Sequence, residues 1–233
     1  MQNKVELITY MGSDNLHCLS AWASTFLELD LEMPTEIENR VDVIVDYIVS
    51  NSKRFRNKEQ LLMYLANEKH ESPFRMSGFV FAMTTDIATH IQKLKHQVIL
   101  EAENAESARY KKLEEKYYLP TDWVENETLE KWRNKLEEQT KENNKLYEEC
   151  LNELTPILGR ARAKESARYF KMYNTQLNSI NKFSFAGIML FYLKRSDLAA
   201  QLEIREVAKQ MLDCVKNIPN NPFKLSLQAF GVL

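Results

Sequence analysis

Ser107 and Arg109 stand two residues apart, and a guanidinium fork beside a hydroxyl suits a phosphate: the fork matches two oxygens, while serine and backbone N–H groups supply further donors. The pentapeptide that holds them, Glu-Ser-Ala-Arg-Tyr, occurs at 106–110 and again at 165–169. Similarity does not extend far beyond those residues, so they do not mark a structural repeat. They also have a plainer use. Glu106 and Arg109, like Glu165 and Arg168, are three apart, the spacing of an exposed helical ion pair, and from local sequence alone that is the commoner arrangement. The four histidines, at 17, 70, 90 and 96, lie in unrelated surroundings and form no triad or metal spacing, and no phosphate loop is present. Lys95-His96 reads as a solvated face, and His70 before Glu71-Ser72-Pro73 as a loop or cap residue rather than a base. Cys18, Cys150 and Cys214 are odd in number and lack a CxxC pair, which suits buried small apolar residues better than a disulfide framework or a zinc site.

These groups belong to a chain of 233 residues with 31 Lys+Arg against 33 Asp+Glu, a net charge of −2 and 44% hydrophobic residues. Such a balance creates no field to attract nucleic acid or an anionic membrane, so a charged ligand must be held by a local site. No apolar run approaches the roughly 18 residues of a spanning helix, and the N-terminus lacks the apolar core of a signal peptide, so a cytoplasmic protein is expected. With 5 Gly and 6 Pro the chain should be mainly helical.

The elements that must position the groups follow from periodicity. Val5 to Tyr10 is a β-prone run ending in the turn-rich Gly12-Ser13-Asp14-Asn15, which predicts a short first strand and a helix cap. Helices are expected over 16–30 and 38–50, the second buried on more than one side because Val43, Tyr47 and Val49 are apolar too, and over 58–67. Alternation over 73–85, with Phe79, Phe81 and Met83 on one side, predicts a second strand. Thr84, Thr85 and Asp86 offer caps to a helix carrying Ile87, Ile91, Leu94 and Val98 on one face. An ordered crossing loop over 111–128 holds Tyr117, Tyr118, Pro120 and Trp123; a long amphipathic helix follows from Leu129, and further helices are expected over 155–173, 183–194 and 197–215. No linker interrupts this, so residues 1–233 read as one domain.

The order of these pieces resembles the flavin-dependent thymidylate synthases along nearly the whole chain. Val5 to Tyr10 is similar to that family's first strand, and His70-Glu71-Ser72-Pro73-Phe74 to its His-x-[Ser/Thr]-Pro-Phe segment. Lys95-His96-Gln97 and Asn104 to Tyr110 resemble its Arg-His-Arg … Ser-x-Arg-Tyr signature, and Tyr117-Tyr118-Leu119-Pro120 its aromatic-Pro element. Ala167-Arg168, Leu193-Lys194-Arg195 and Ala200 to Arg205 resemble its last two arginine-bearing stretches. The departures are Lys95 and Gln97 for two arginines, Arg75 for a glutamate, and, in an ungapped match, Ser184, Ala186 and Leu190 for three polar residues that contact flavin.

The resemblance implies an α/β (α+β), helix-rich fold with a mixed sheet flanked by long helices, and a homotetramer with shared active sites. It implies methylation of C5 of dUMP with FAD, NADPH and 5,10-methylenetetrahydrofolate, and no protein cysteine as nucleophile. It assigns Gln92, Ser107, Arg109, Arg168 and Arg195 to the nucleotide, with Arg195 also catalytic. His70, Ser72, Lys95, His96, Gln97 and Ser184 go to FAD, and no metal is implied. Three functions stay open: C5 methylation or hydroxymethylation of a pyrimidine deoxynucleotide, a nucleotide-modifying enzyme with a changed cofactor, and a nucleotide-binding homologue without catalysis.

Overall fold

A computed structural model describes residues 1–23, 35–51, 57–96, 99–107 and 109–233. Four strands, β1 (Lys4–Met11), β2 (Gly78–Asp86), β3 (Leu100–Ala105) and β4 (Gln176–Ser184), form one sheet in the order β1-β2-β4-β3. β1 is the strand the β-prone run Val5 to Tyr10 predicts and β2 the one the alternation predicts, except that Pro73–Arg75, expected within it, form a 3-10 turn. Every neighbouring pair is antiparallel, so the sheet is not the expected mixed one, although the helix-rich α/β architecture holds.

β4 escaped the sequence pattern because its polarity is inverted. Ser179 and Asn181 point inward and are buried with Phe183, while Ile180 faces outward and is 48% exposed. A strand that buries polar side chains and exposes an apolar one does not read as a strand by its hydrophobicity.

Helices α1 (Asp14–Trp22), α2 (Ile37–Asn51), α3 (Lys58–Asn67) and α4 (Ile87–Leu94) precede the long crossing. Side-chain caps start three of them: Ser13 accepts from Leu16 N, Asn57 from Glu59 N, and Asp86 from Thr89 N. Residues 24–30 of the first expected helix lie outside the described residues, as does Val98 at the end of the fourth. α2 buries Ile44, Val45 and Ile48 but leaves Val43 39% and Tyr47 43% exposed, so in this chain it is buried on one side only. The crossing loop is ordered as expected, with Tyr118 buried and Tyr117 bridged to Thr175.

α5 (Glu127–Leu158) runs for 32 residues, and α6 (Arg160–Ala167) starts after a break at Gly159, where φ is +77°. The helix expected over 155–173 is therefore divided, because that left-handed backbone suits glycine and ends a helix. Tyr147 and Leu151 of α5 pack on Ala163 and Ala167 of α6 as a small cluster. α7 (Phe185–Arg195), α8 (Leu202–Lys216) and α9 (Lys224–Ala229) complete the chain. The main core gathers Trp22, Phe74, Phe81, Phe183 and Phe191 with the expected face of α8, Ile204, Val207, Ala208, Met211 and Val215. Cys18 is buried there, while Cys150 and Cys214 are only half-buried.

A buried polar chain ties α1 to α9. Asp14 accepts from Leu225 N at 2.8 Å, Ser226 N at 2.9 Å and Ser226 Oγ at 2.5 Å. With its proton on Asp14, Ser226 Oγ must accept from His17 Nδ1 at 2.9 Å, which leaves Nε2 to accept from Ser77 Oγ at 2.9 Å. The imidazole is thus neutral, and burial lowers its pKa to about 3.

Candidate active site

The expected site residues fall into three places. At the first, Gln92 and His96, on and just past the end of α4, meet the last residue of α7 and the start of α8. Arg195 donates to His96 Nε2 from Nε at 2.8 Å and also from Nη2, and Gln92 donates to Gln201 Oε1. Burial lowers the His96 pKa, and the nearby Arg195 and Lys194 charges lower it further, so the ring is a neutral acceptor that fixes the guanidinium. Gln201 stands in the stretch from Ala200 to Arg205 that carries the resemblance, so its neighbourhood was signalled although its contact was not.

At the second place the two pentapeptides lie against each other. Arg109 Nε pairs with Glu165 Oε1 at 2.8 Å, and Lys164 Nζ donates to the Tyr110 carbonyl at 3.1 Å. This crossed pair replaces the local ones: Glu106 pairs with Lys111 and accepts from Asn178 N at 2.8 Å. Burial works to raise the Glu106 pKa, but these donors outweigh it and hold the carboxyl below the usual range. Glu165 takes Arg162 as well, at 3.3 Å. Ser107 Oγ accepts from Arg109 N at 3.3 Å in a local turn, and Arg168 and Tyr169 are exposed. Among the described residues no hydrogen bond or ion pair joins this group to the first.

The third place is a groove of about 400 Å³ between α3, α7 and the end of α9, walled by Leu65, Ala186, Leu190, Leu193 and Phe230, with His70 on its rim. Ser72 is exposed two residues on, and Lys95 is exposed at the end of α4. Ser184 is fully buried, and its hydroxyl accepts from Gly187 N at 3.2 Å as the cap of α7. Gln97 lies outside the described residues. The residues present fit a flavin: an apolar wall suits the faces of an aromatic ring, with the His70 imidazole at its edge and the Lys69 ammonium in the lining available to a phosphate. α7 itself brings no side-chain donor to that groove, since Ala186 and Leu190 are apolar and Ser184 is spent on the cap.

Among the described residues no three His, Cys, Asp or Glu side chains group as a metal site, and no helix is long and apolar enough to cross a membrane.

Fold and site together define a helix-rich α/β protein with a four-stranded antiparallel sheet and arginines gathered at two places upon it. The chain belongs to the thymidylate synthase complementing protein family (Thy1), whose model matches residues 6–220. It is 27% identical over 178 residues to the flavin-dependent thymidylate synthase of Gluconobacter oxydans, covering 71% of this chain and 58% of that protein. It is 28% identical over 187 residues to that of Rickettsia bellii, covering 71% and 63%. The chain thus spans less than two thirds of the length of either relative. In fold it is similar to a UMP/dUMP methylase, PolB from Streptomyces cacaoi, whose structure holds 5-Br dUMP. The TM-score is 0.73 at 20% identity, over 100% of this chain and 96% of that one.

Proposed function

We propose that this chain transfers a one-carbon unit from 5,10-methylenetetrahydrofolate to C5 of a pyrimidine deoxynucleotide, dUMP by default, leaving a methyl or hydroxymethyl group. The observation that carries this reading is the Arg195–His96 and Gln92–Gln201 contact, held by three helices in a chain of the thymidylate synthase complementing protein family. Uracil C5 is a weak nucleophile, so a site must orient the ring and stabilise charge that develops on it. Arg195, kept in place by a neutral imidazole, offers that charge to the base as the catalytic residue, and Gln92 offers an amide to its edge. Ser107, Arg109 and Arg168 hold the phosphate, for which the exposed guanidinium of Arg168 is available.

FAD, reduced by NADPH, supplies the hydride when bound. His70 at the groove, with Ser72, Lys95, His96 and Gln97, would hold it. Ser184 serves the α7 cap in this reading. Sharing of each site between subunits of a homotetramer accounts for two observations. Among the described residues no hydrogen bond or ion pair joins the phosphate-holding residues to the Arg195 group, and Tyr110 and Tyr169 are 83% and 81% exposed. Residues 1–233 act as one domain, in the cytoplasm or in that of a host.

A second reading, a nucleotide-binding homologue with altered or lost flavin use, draws on the lack of a side-chain donor where Ala186 and Leu190 of α7 line the groove. The visible absorption spectrum with added FAD and dUMP separates the two. A flavin spectrum that shifts with dUMP supports transfer, and a protein that binds dUMP but cannot be loaded with FAD supports the second. Arg109→Ala and Arg168→Ala should each weaken dUMP binding by about 1.5–3 kcal/mol, the worth of a charged hydrogen-bonding partner. Unchanged affinity in both refutes the phosphate assignment.

A further inference from the structure

Lys93 is 1% exposed, and a lysine is almost never that buried without a matched set of acceptors. Here Nζ meets Glu103 Oε1 at 2.8 Å, Ser179 Oγ at 3.4 Å and Asn181 Oδ1, one acceptor for each of its three N–H bonds. Asn181 in turn donates to Ser179 Oγ at 2.9 Å. Glu103 and Asn181 stand opposite each other on β3 and β4, so the lysine of α4 is pinned across one rung of the sheet. His90, one turn earlier on α4, lies against the same carboxylate at 3.4 Å. This is the inward polar face that hid β4 from its hydrophobic pattern.

α4 therefore has two working sides. His90 and Lys93 fix it to β3 and β4, while Gln92 and His96 reach Gln201 and Arg195. Apolar contacts alone would let so short a helix turn about its axis at little cost, whereas three directional bonds to a cation set its rotation. We propose that Lys93, through Glu103 and Asn181, is a positioning residue that sets the rotation of α4 and thereby aligns Gln92 and His96 with Gln201 and Arg195 for the nucleotide. The inference rests on the proposed nucleotide site for its functional half.

The test uses the full chain. Lys93→Met alone strands Glu103 and the buried Asn181 oxygen and can prevent folding, so the informative variant is the triple Lys93→Met, Glu103→Leu and Asn181→Leu. Replacing a buried ion pair by apolar groups of similar size is often neutral for stability, but it abolishes the directional lock. With its melting temperature near that of the parent, the triple variant should bind dUMP at least about 10-fold more weakly in calorimetry. The His96 imidazole, followed by NMR in the ligand-free protein, should titrate at higher pH than in the parent, because Arg195 no longer faces it. A merely structural ion pair would move neither reading once stability is restored. An unchanged His96 titration overturns the proposal whatever dUMP does, as does unchanged affinity in a chain that binds dUMP. A parent that binds no dUMP removes the nucleotide reading instead, and the His96 titration still decides whether α4 is held in this way.

Discussion

Acidification should destabilise this protein through His17. The imidazole is fully buried, neutral, and committed at both nitrogens to Ser226 and Ser77. A proton on Nε2 would turn the Ser77 hydroxyl toward the Phe74 carbonyl, 3.5 Å away, and would place a charge on a fully buried ring. Above the ordinary histidine value of 6.5 both the folded and unfolded states are neutral and His17 costs nothing. Below it the unfolded chain takes up a proton that the fold refuses until about pH 3, so stability falls steadily across that window. The loss is on the order of 1 kcal/mol per pH unit, or about 2 kcal/mol by pH 5. Burial raises the pKa of Asp14, which acts in the opposite sense, so the comparison must be between chains that share Asp14. Urea unfolding of the parent and of His17→Gln should be measured from about pH 8 to pH 5. The variant is expected to start less stable and to lose about 2 kcal/mol less than the parent over that range. Parallel pH profiles would refute the assignment of a neutral, fully committed imidazole.

A Cβ on Gly187 would lie 2.7 Å from the Ile99 carbonyl oxygen, so Gly187→Ala must push α7 away from the turn before β3 and should cost about 1–3 kcal/mol in a thermal melt. Ser184→Ala should cost about 1–2 kcal/mol through the lost cap while leaving FAD loading unchanged; a drop in loading at unchanged stability would show that its hydroxyl serves the flavin instead. Light scattering should give a tetramer mass, and a monomer mass at working concentration refutes shared sites.

The legible parts of the fold were those where local chemistry and burial agree. Phe79, Phe81 and Met83 alternate and are buried, so β2 could be read; Asp86 both ends that strand and caps α4; the face of α8 from Ile204 to Val215 is apolar and buried as its period requires. β4 could not be read because Ser179 and Asn181 are inside, where Lys93 supplies what water would otherwise supply. Nor could the antiparallel sense of the whole sheet, since strand direction is settled by connections far apart in the chain. Of the candidate site, residue types were legible and pairings were not. Arg109 chose Glu165 over Glu106, a partner brought near by tertiary packing and invisible to spacing.

The two copies of Glu-Ser-Ala-Arg-Tyr carry one more consequence. At 165–167 the segment is the end of α6, whereas its described residues at 106–110 are loop and turn, and the copies touch each other. Identical five-residue words thus have two conformations within one molecule. A synthetic peptide of that sequence, too short to hold a helix in water, would not reproduce the helical copy, and an antibody raised to it could not tell the two sites apart in the unfolded chain.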